Sequence, residues 1–211
     1  MGKRSLAGIA GIVAAATLLS KVFGLVRETA SAAAFGTGPV IDAFSVAFII
    51  RGFLLVLLGG INGPFHSAIV SAVSKRKQEE IAPIVETVTT VVGIALFFVT
   101  IGLIIFAGPV VDLLCKVFQA TDLGLVSRPI AIMQLRIMAP ITIFACFIGI
   151  GFGALNAADQ YWLPSISPLL SSATAILGIG ILWLVLGNDI IEPEYAMAGG
   201  MVLAGGALAG A

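Results

Sequence analysis

Histidine, cysteine and charge are scarce in this 211-residue sequence: one His, two Cys, and Asp, Glu, Lys and Arg together at 10%. Each scarcity excludes a class of chemistry. His66, flanked by Phe65 and Ser67, leaves no second imidazole for a His-based zinc site, and makes a Ser-His-Asp triad improbable. Cys115 and Cys146 stand about thirty residues apart with no CxxC or Cys/His spacing, so they read as small core residues rather than a redox pair or metal ligands. Eleven basic and eleven acidic residues cancel, which supports neither a polynucleotide-binding surface nor an acidic tail. The carboxylates outside the apolar runs, Asp112, Asp122, Asp159, Asp189, Glu192 and Glu194, are scattered, whereas a membrane phosphatase or glycosyltransferase needs them clustered for a metal. The expectation is a protein that is no enzyme and needs no cofactor.

What is abundant is apolar: 59% hydrophobic residues, 25 glycines and a mean hydropathy of +1.14. A water-soluble domain does not carry so much greasy surface. A spanning helix needs about twenty mostly apolar residues, and segments at 6–35, 41–73, 84–111, 129–155 and 163–186 qualify, with a sixth starting near 195 and still apolar at 211. The fold class expected is all-α, a polytopic membrane protein with 1–211 as a single transmembrane domain. A sixth segment with no flanking charge suggests a fragment of a longer chain. Lys3 and Arg4 followed by apolar sequence superficially suggest a secretory signal, but the run is too long for a signal core and more spans follow.

Orientation follows from the short loops. Lys3 and Arg4 precede the first segment and Lys75, Arg76 and Lys77 separate the second from the third, which puts the N-terminus in the cytoplasm. The loop at 156–162 belongs to the same side yet carries Asp159 and no basic residue. The second segment contains Gly59, Gly60, Asn62, Gly63 and Pro64. Such a cluster interrupts helical hydrogen bonding, and freed backbone groups are tolerated only against protein or a wet cavity, so a hinge is expected there.

The first segment is the most informative. At 100° per residue from Gly24, Thr17, Ser20, Lys21, Arg27, Glu28 and Ser31 all fall within about 60°, while Leu19, Val22, Phe23, Leu25, Val26 and Ala30 face away. Charges near a helix centre cost about 2.5–3.5 kcal/mol each on insertion scales, which favours a stripe facing water-filled interior; an interhelical ion-pair staple or snorkelling is the alternative. Gly24 sits at the middle of this stripe as a candidate hinge. Asp42, opening the second segment, is ordinarily explained as an N-cap. Arg51 lies about 180° round the helix from it and receives no role. Arg136, with Gln134 nearby, either joins the same wet cavity or only packs. Gly149-Ile-Gly-Phe-Gly153 lacks a preceding strand, so it reads as close helix packing rather than a nucleotide loop.

Ser20-Lys-Val-Phe-Gly-Leu-Val-Arg27, Ala34-Phe-Gly-Thr-Gly38 and Asp42-Ala-Phe-Ser-Val-Ala-Phe48 resemble the opening of the MurJ/MviN family of lipid II flippases, within the multidrug/oligosaccharidyl-lipid/polysaccharide exporters. Gly153-Ala-Leu-Asn156 and Leu163-Pro-Ser-Ile-Ser-Pro168 resemble its fourth and fifth helices and their junction. The resemblance implies fourteen helices in two lobes around a central cavity, this chain being the N-terminal lobe and the C-terminal lobe absent. It implies a bacterial inner-membrane flippase whose partners are lipid II, membrane lipids and proteins of cell-wall synthesis. It also implies pyrophosphate-binding roles for Lys21 and Arg27, with Asp42 and Arg136 at positions that match the family's acidic and basic residues. Ser20 and Glu28 join this candidate substrate site from the stripe. Two departures are visible: Leu54-Leu-Val-Leu-Leu58 stands where the family often has adjacent arginines, Arg51 being the nearest substitute, and Asn62-Gly-Pro-Phe-His66 lacks an expected acid-glycine pair. A flippase for another polyprenyl-linked glycan, a membrane enzyme and a scaffold of cell-wall synthesis are the alternatives; a drug-cation antiporter would want an acidic lining.

Overall fold

A computed structural model describes residues 6–58, 78–116, 120–157, 162–187, 189 and 192–210. These residues form eight α-helices: α1 (Leu6–Phe35), α2 (Pro39–Leu58), α3 (Gln78–Ile105), α4 (Ala107–Leu114), α5 (Asp122–Met138), α6 (Ile141–Ala157), α7 (Trp162–Leu186) and α8 (Ala196–Ala209), the last preceded by a 3₁₀ turn at Pro193–Tyr195. The chain is all-α and polytopic. Four stretches are long and apolar enough to cross a bilayer, Ala10–Phe35, Glu86–Ile105, Gly124–Phe152 and Ser165–Leu186. α8, at 14 residues, is shorter than a full crossing. The Gly59, Gly60, Asn62, Gly63 and Pro64 cluster, and His66 with it, lies outside the described residues.

The first segment runs as one helix over the expected 6–35. It stops because Gly36 adopts φ +61° and its N–H turns back onto the Ala32 carbonyl at 2.9 Å, an αL cap. Pro39 then starts α2 at the position where a missing N–H costs nothing. The Gly38 carbonyl accepts from both Ile41 and Asp42 N–H at 3.1 Å. The N-cap expected at Asp42 is therefore not found: Asp42 sits inside the first turn, where its charge still complements the helix dipole.

The third and fourth segments are bent rather than straight. Pro109, in the first turn of α4, cannot donate to the Ile105 carbonyl and crowds it, which separates α3 from α4 at Phe106. Pro140 does the same to Arg136 and separates α5 from α6. Arg128 of α5 grips Asp112 of α4 with two bonds, Nε to Oδ1 at 2.6 Å and a second nitrogen to Oδ2 at 2.7 Å. Both side chains are partly exposed, so Asp112→Asn is expected to lower the melting temperature by only about 2–4 °C in a thermal shift assay.

The core lies where α2, α5 and α8 meet. Val40, Ala43, Ala47 and Ile50 of α2 recur at helical spacing and are buried against Ile130, Ala131, Leu135 and Met138 of α5 and Leu203, Ala204 and Ala207 of α8. Small residues set the separation. A Cβ on Gly200 would come within 2.7 Å of Ile130 Cγ2, and one on Gly206 within 2.8 Å of the Ala175 Cα of α7, so α8 seats at distances that side chains do not permit. The packing glycines expected in α6 are not matched at Gly151, where an added Cβ meets nothing within 4 Å. Leu18, Leu25, Ile49, Phe53, Phe98, Leu184 and Val185 are exposed, an outer surface suited to acyl chains. Cys115 is a free, half-buried thiol just past α4, where burial pushes its pKa up; the Cys146 side chain lies outside the described residues.

α1 packs chiefly on α7, and α2 chiefly on α5. α1 and α2, although adjacent in sequence, touch only lightly.

Candidate anion-binding site between the first two helices

The polar stripe of α1 divides into an anchored part and an open part. Ser20 is anchored: its hydroxyl donates to the Ser165 carbonyl of α7 at 2.9 Å. Ser31 is buried and donates to the Arg27 carbonyl at 2.8 Å. Lys21 and Glu28 are exposed. Gly24 faces open space, with nothing within 4 Å of an added Cβ.

Arg27 is the pivot. Its side chain is 18% exposed and ion-pairs with Glu28, which is 66% exposed. Its guanidinium carbon also lies 5.5 Å from the centre of the Phe48 ring on α2. The guanidinium carbon of Arg51 lies 5.2 Å from the same ring. Phe44, one turn before Phe48, packs against that ring with centroids 5.6 Å apart and a tilt of 38°. The two guanidiniums, one ring and one exposed carboxylate carry a net positive charge beside an apolar core. Moreover, Arg51 Nε is buried with no hydrogen-bond partner among the described residues, and a buried donor without an acceptor is costly. Such an arrangement is suited to an anion with several oxygens, because planar guanidiniums bind phosphates bidentately.

Arg51 enters the sequence reading only as the nearest substitute for the family's adjacent arginines, and its angle from Asp42 hides its neighbours. Against the aromatic row, Phe44, Phe48 and Arg51 recur at i, i+4 and i+7, one face of α2. Asp42 is exposed in the first turn of α2, and no ion pair joins it to Arg27 or Lys21 among the described residues. Arg136 is exposed on α5 and its Nε donates to the Ile104 carbonyl at 3.1 Å, at the break between α3 and α4. Gln134, grouped with it in the sequence, turns the other way: it is fully buried and donates to the Gly200 carbonyl of α8 at 3.3 Å. The structure thus brings Arg27, Glu28 and Arg51 together, with Lys21 and Gly24 on the same stripe, and engages Ser20 and Arg136 in contacts with other helices. Among the described residues no group of three or more His, Cys, Asp or Glu could hold a metal ion.

Residues 31–211 match the family model for the lipid II flippase MurJ. The chain belongs to the MurJ family. A probable lipid II flippase MurJ of Synechocystis sp. is 58% identical over 208 residues, 99% of this chain and 38% of the relative. A lipid II flippase MurJ of Burkholderia cenocepacia is 30% identical over 193 residues, 90% of this chain and 36% of that protein. A lipid II flippase MurJ of Thermosipho africanus is 26% identical over 188 residues, 89% of this chain and 38% of that protein. The chain therefore spans less than two fifths of the length of these MurJ relatives. The family-model match begins after Lys21 and Arg27, whereas the Synechocystis alignment takes in nearly the whole chain and α1 with it.

Proposed function

We propose that this chain forms one lobe, the N-terminal one, of a flippase that moves lipid II across the bacterial inner membrane by alternating access. Residues 1–211 act as a single helical unit of that lobe, with the N-terminus on the cytoplasmic side as the Lys/Arg distribution indicates. The observation that carries this reading is the net-positive cluster of Arg27, Arg51 and Glu28 around Phe48, in a family whose relatives are named for lipid II. A pyrophosphate cannot enter a low-dielectric interior with its charge unmatched. Arg27 supplies bidentate donors, and Lys21, exposed a turn and a half before it, supplies a mobile point charge.

In this mechanism no covalent bond changes. The pyrophosphate docks on the cationic stripe of α1, the isoprenoid tail stays against the exposed apolar faces, and the lobes rock about the bound headgroup. Glu28 keeps Arg27 ion-paired when the site is empty and yields it when phosphate arrives. Asp42 at the mouth of α2 sets the local potential. Arg136 braces the bend between α3 and α4 and so holds the lobe's shape as it moves. Gly24 serves as the point where α1 flexes. Lipid II and the surrounding bilayer lipids are the partners this requires.

The test is solvent access. In the protein that carries this chain, Gly24→Cys is expected to react with a membrane-impermeant maleimide, and saturating lipid II is expected to slow that reaction. A thiol at position 24 sealed from the reagent in every condition would overturn the reading.

A further inference from the structure

The weak seam between α1 and α2 raises a question of geometry. α1 rests on α7 and α2 rests on α5, so backbone packing does little to keep Arg27 and Arg51 in register across the seam. What spans it is the Phe48 ring, with both guanidinium carbons within cation–π range, 5.5 and 5.2 Å from its centre. Like charges repel, more strongly in a medium less polar than water, and two unbridged guanidiniums would part. An aromatic face is negative, and it attracts both. Phe44 braces the ring from the preceding turn. Val40, Ala43, Ala47 and Ile50 pin the same helix into the core.

We propose that Phe48 is the positioning residue of the anion site, holding Arg27 and Arg51 side by side so that the pair recognises a diphosphate in preference to a monophosphate. This rests on the anion-binding reading above and deepens it by naming what sets ligand class. Arg51 is the second ligand: its buried Nε, which has no partner among the described residues, is a donor held ready for an acceptor, and its other nitrogens complete a fork. One phosphoryl group occupies one fork. A diphosphate occupies both, and its charge replaces the ring as the element that holds the two cations together. The specificity therefore depends on the spacing of two guanidiniums, which the ring fixes before the ligand arrives.

The experiment is a binding series on the protein that carries this chain, reconstituted in nanodiscs and read by native mass spectrometry with farnesyl diphosphate and farnesyl monophosphate as probes. Wild type is expected to prefer the diphosphate. Phe48→Leu, apolar and compatible with a helix, is expected to weaken diphosphate binding on the order of ten-fold and leave monophosphate binding near wild type, collapsing the preference. Phe48→Tyr keeps the ring and is expected to restore it, which a loss of packing alone would not explain. Arg51→Gln is expected to behave as Phe48→Leu, and the double variant to be no worse than either, because ring and cation act as one unit. Inorganic pyrophosphate in excess is expected to displace the probe; no displacement at any concentration would assign recognition to the isoprenoid tail and overturn the proposal. Wild-type preference in both Phe48→Leu and Arg51→Gln, with binding lost in Arg27→Ala, would overturn the proposal and leave the site in place. Unchanged binding in Arg27→Ala as well would overturn both.

Discussion

Arg27→Ala is expected to abolish lipid II transport, lowering the flipping rate at least about a hundred-fold in an assay of lipid II exposed at the outer face, while the protein still inserts and is recovered at wild-type yield. On the proposal that Arg27 binds the pyrophosphate, the magnitude follows from removing a charge-assisted bidentate partner in a poorly solvated site, where losing one member of a charged pair costs about 3–5 kcal/mol. Insertion survives because α1 is held on α7 by other contacts, the Ser20 to Ser165 bond among them. Arg27→Lys keeps the charge and loses the fork and part of the interaction with Phe48, so an intermediate rate is expected. A wild-type rate in Arg27→Ala would remove the residue from the mechanism.

Gly206→Leu is expected to be strongly damaging to the packing of α8 on α7. An added Cβ at Gly206 would stand 2.8 Å from Ala175 Cα and 3.1 Å from Ala175 N. Backbone atoms cannot rotate aside as a side chain can. The same residue's carbonyl accepts a 2.7 Å hydrogen bond from the Thr174 hydroxyl, so the helices would have to part and lose that bond too. A loss of about 3 kcal/mol or more is expected, read as a collapsed melting temperature and a reduced monodisperse fraction in detergent. The neighbouring Gly205→Leu is the control: nothing lies within 4 Å of its added Cβ, and it is expected to melt near wild type. Equal behaviour of the two variants would mean that α8 does not seat on α7 through Gly206.

Much of this architecture can be read from the residues, and what cannot has identifiable causes. α1 is legible from end to end because its apolar sequence has no internal proline and Gly36 follows at once. The bends at Phe106 and Pro140 are not legible from hydropathy, since Pro109 and Pro140 sit within apolar runs; their effect comes from backbone hydrogen bonds, which a hydropathy window does not register. At the site, the 100° rule places Lys21, Arg27 and Glu28 on one face of α1, because it needs only local geometry. Ser20 shares that face, yet the acceptor that engages it is Ser165, whose position no helical wheel contains. Arg51 stands opposite Asp42 on the helical wheel, and its spacing from Phe44 and Phe48 is what sets it beside the ring. Gln134 and Arg136 show the reverse: two residues apart in sequence, they are turned by the helix to different surroundings.

The pairing of α1 with α7 has a consequence for biogenesis. The Ser20 to Ser165 contact joins residues 145 positions apart, so α1 is synthesised well before the helix it packs on. At about 5–20 residues per second, roughly seven to thirty seconds separate their synthesis. Throughout that interval a helix bearing Lys21, Arg27 and Glu28 lacks the helix it packs on in the folded chain, so its charges have to be sheltered by something other than its final dock.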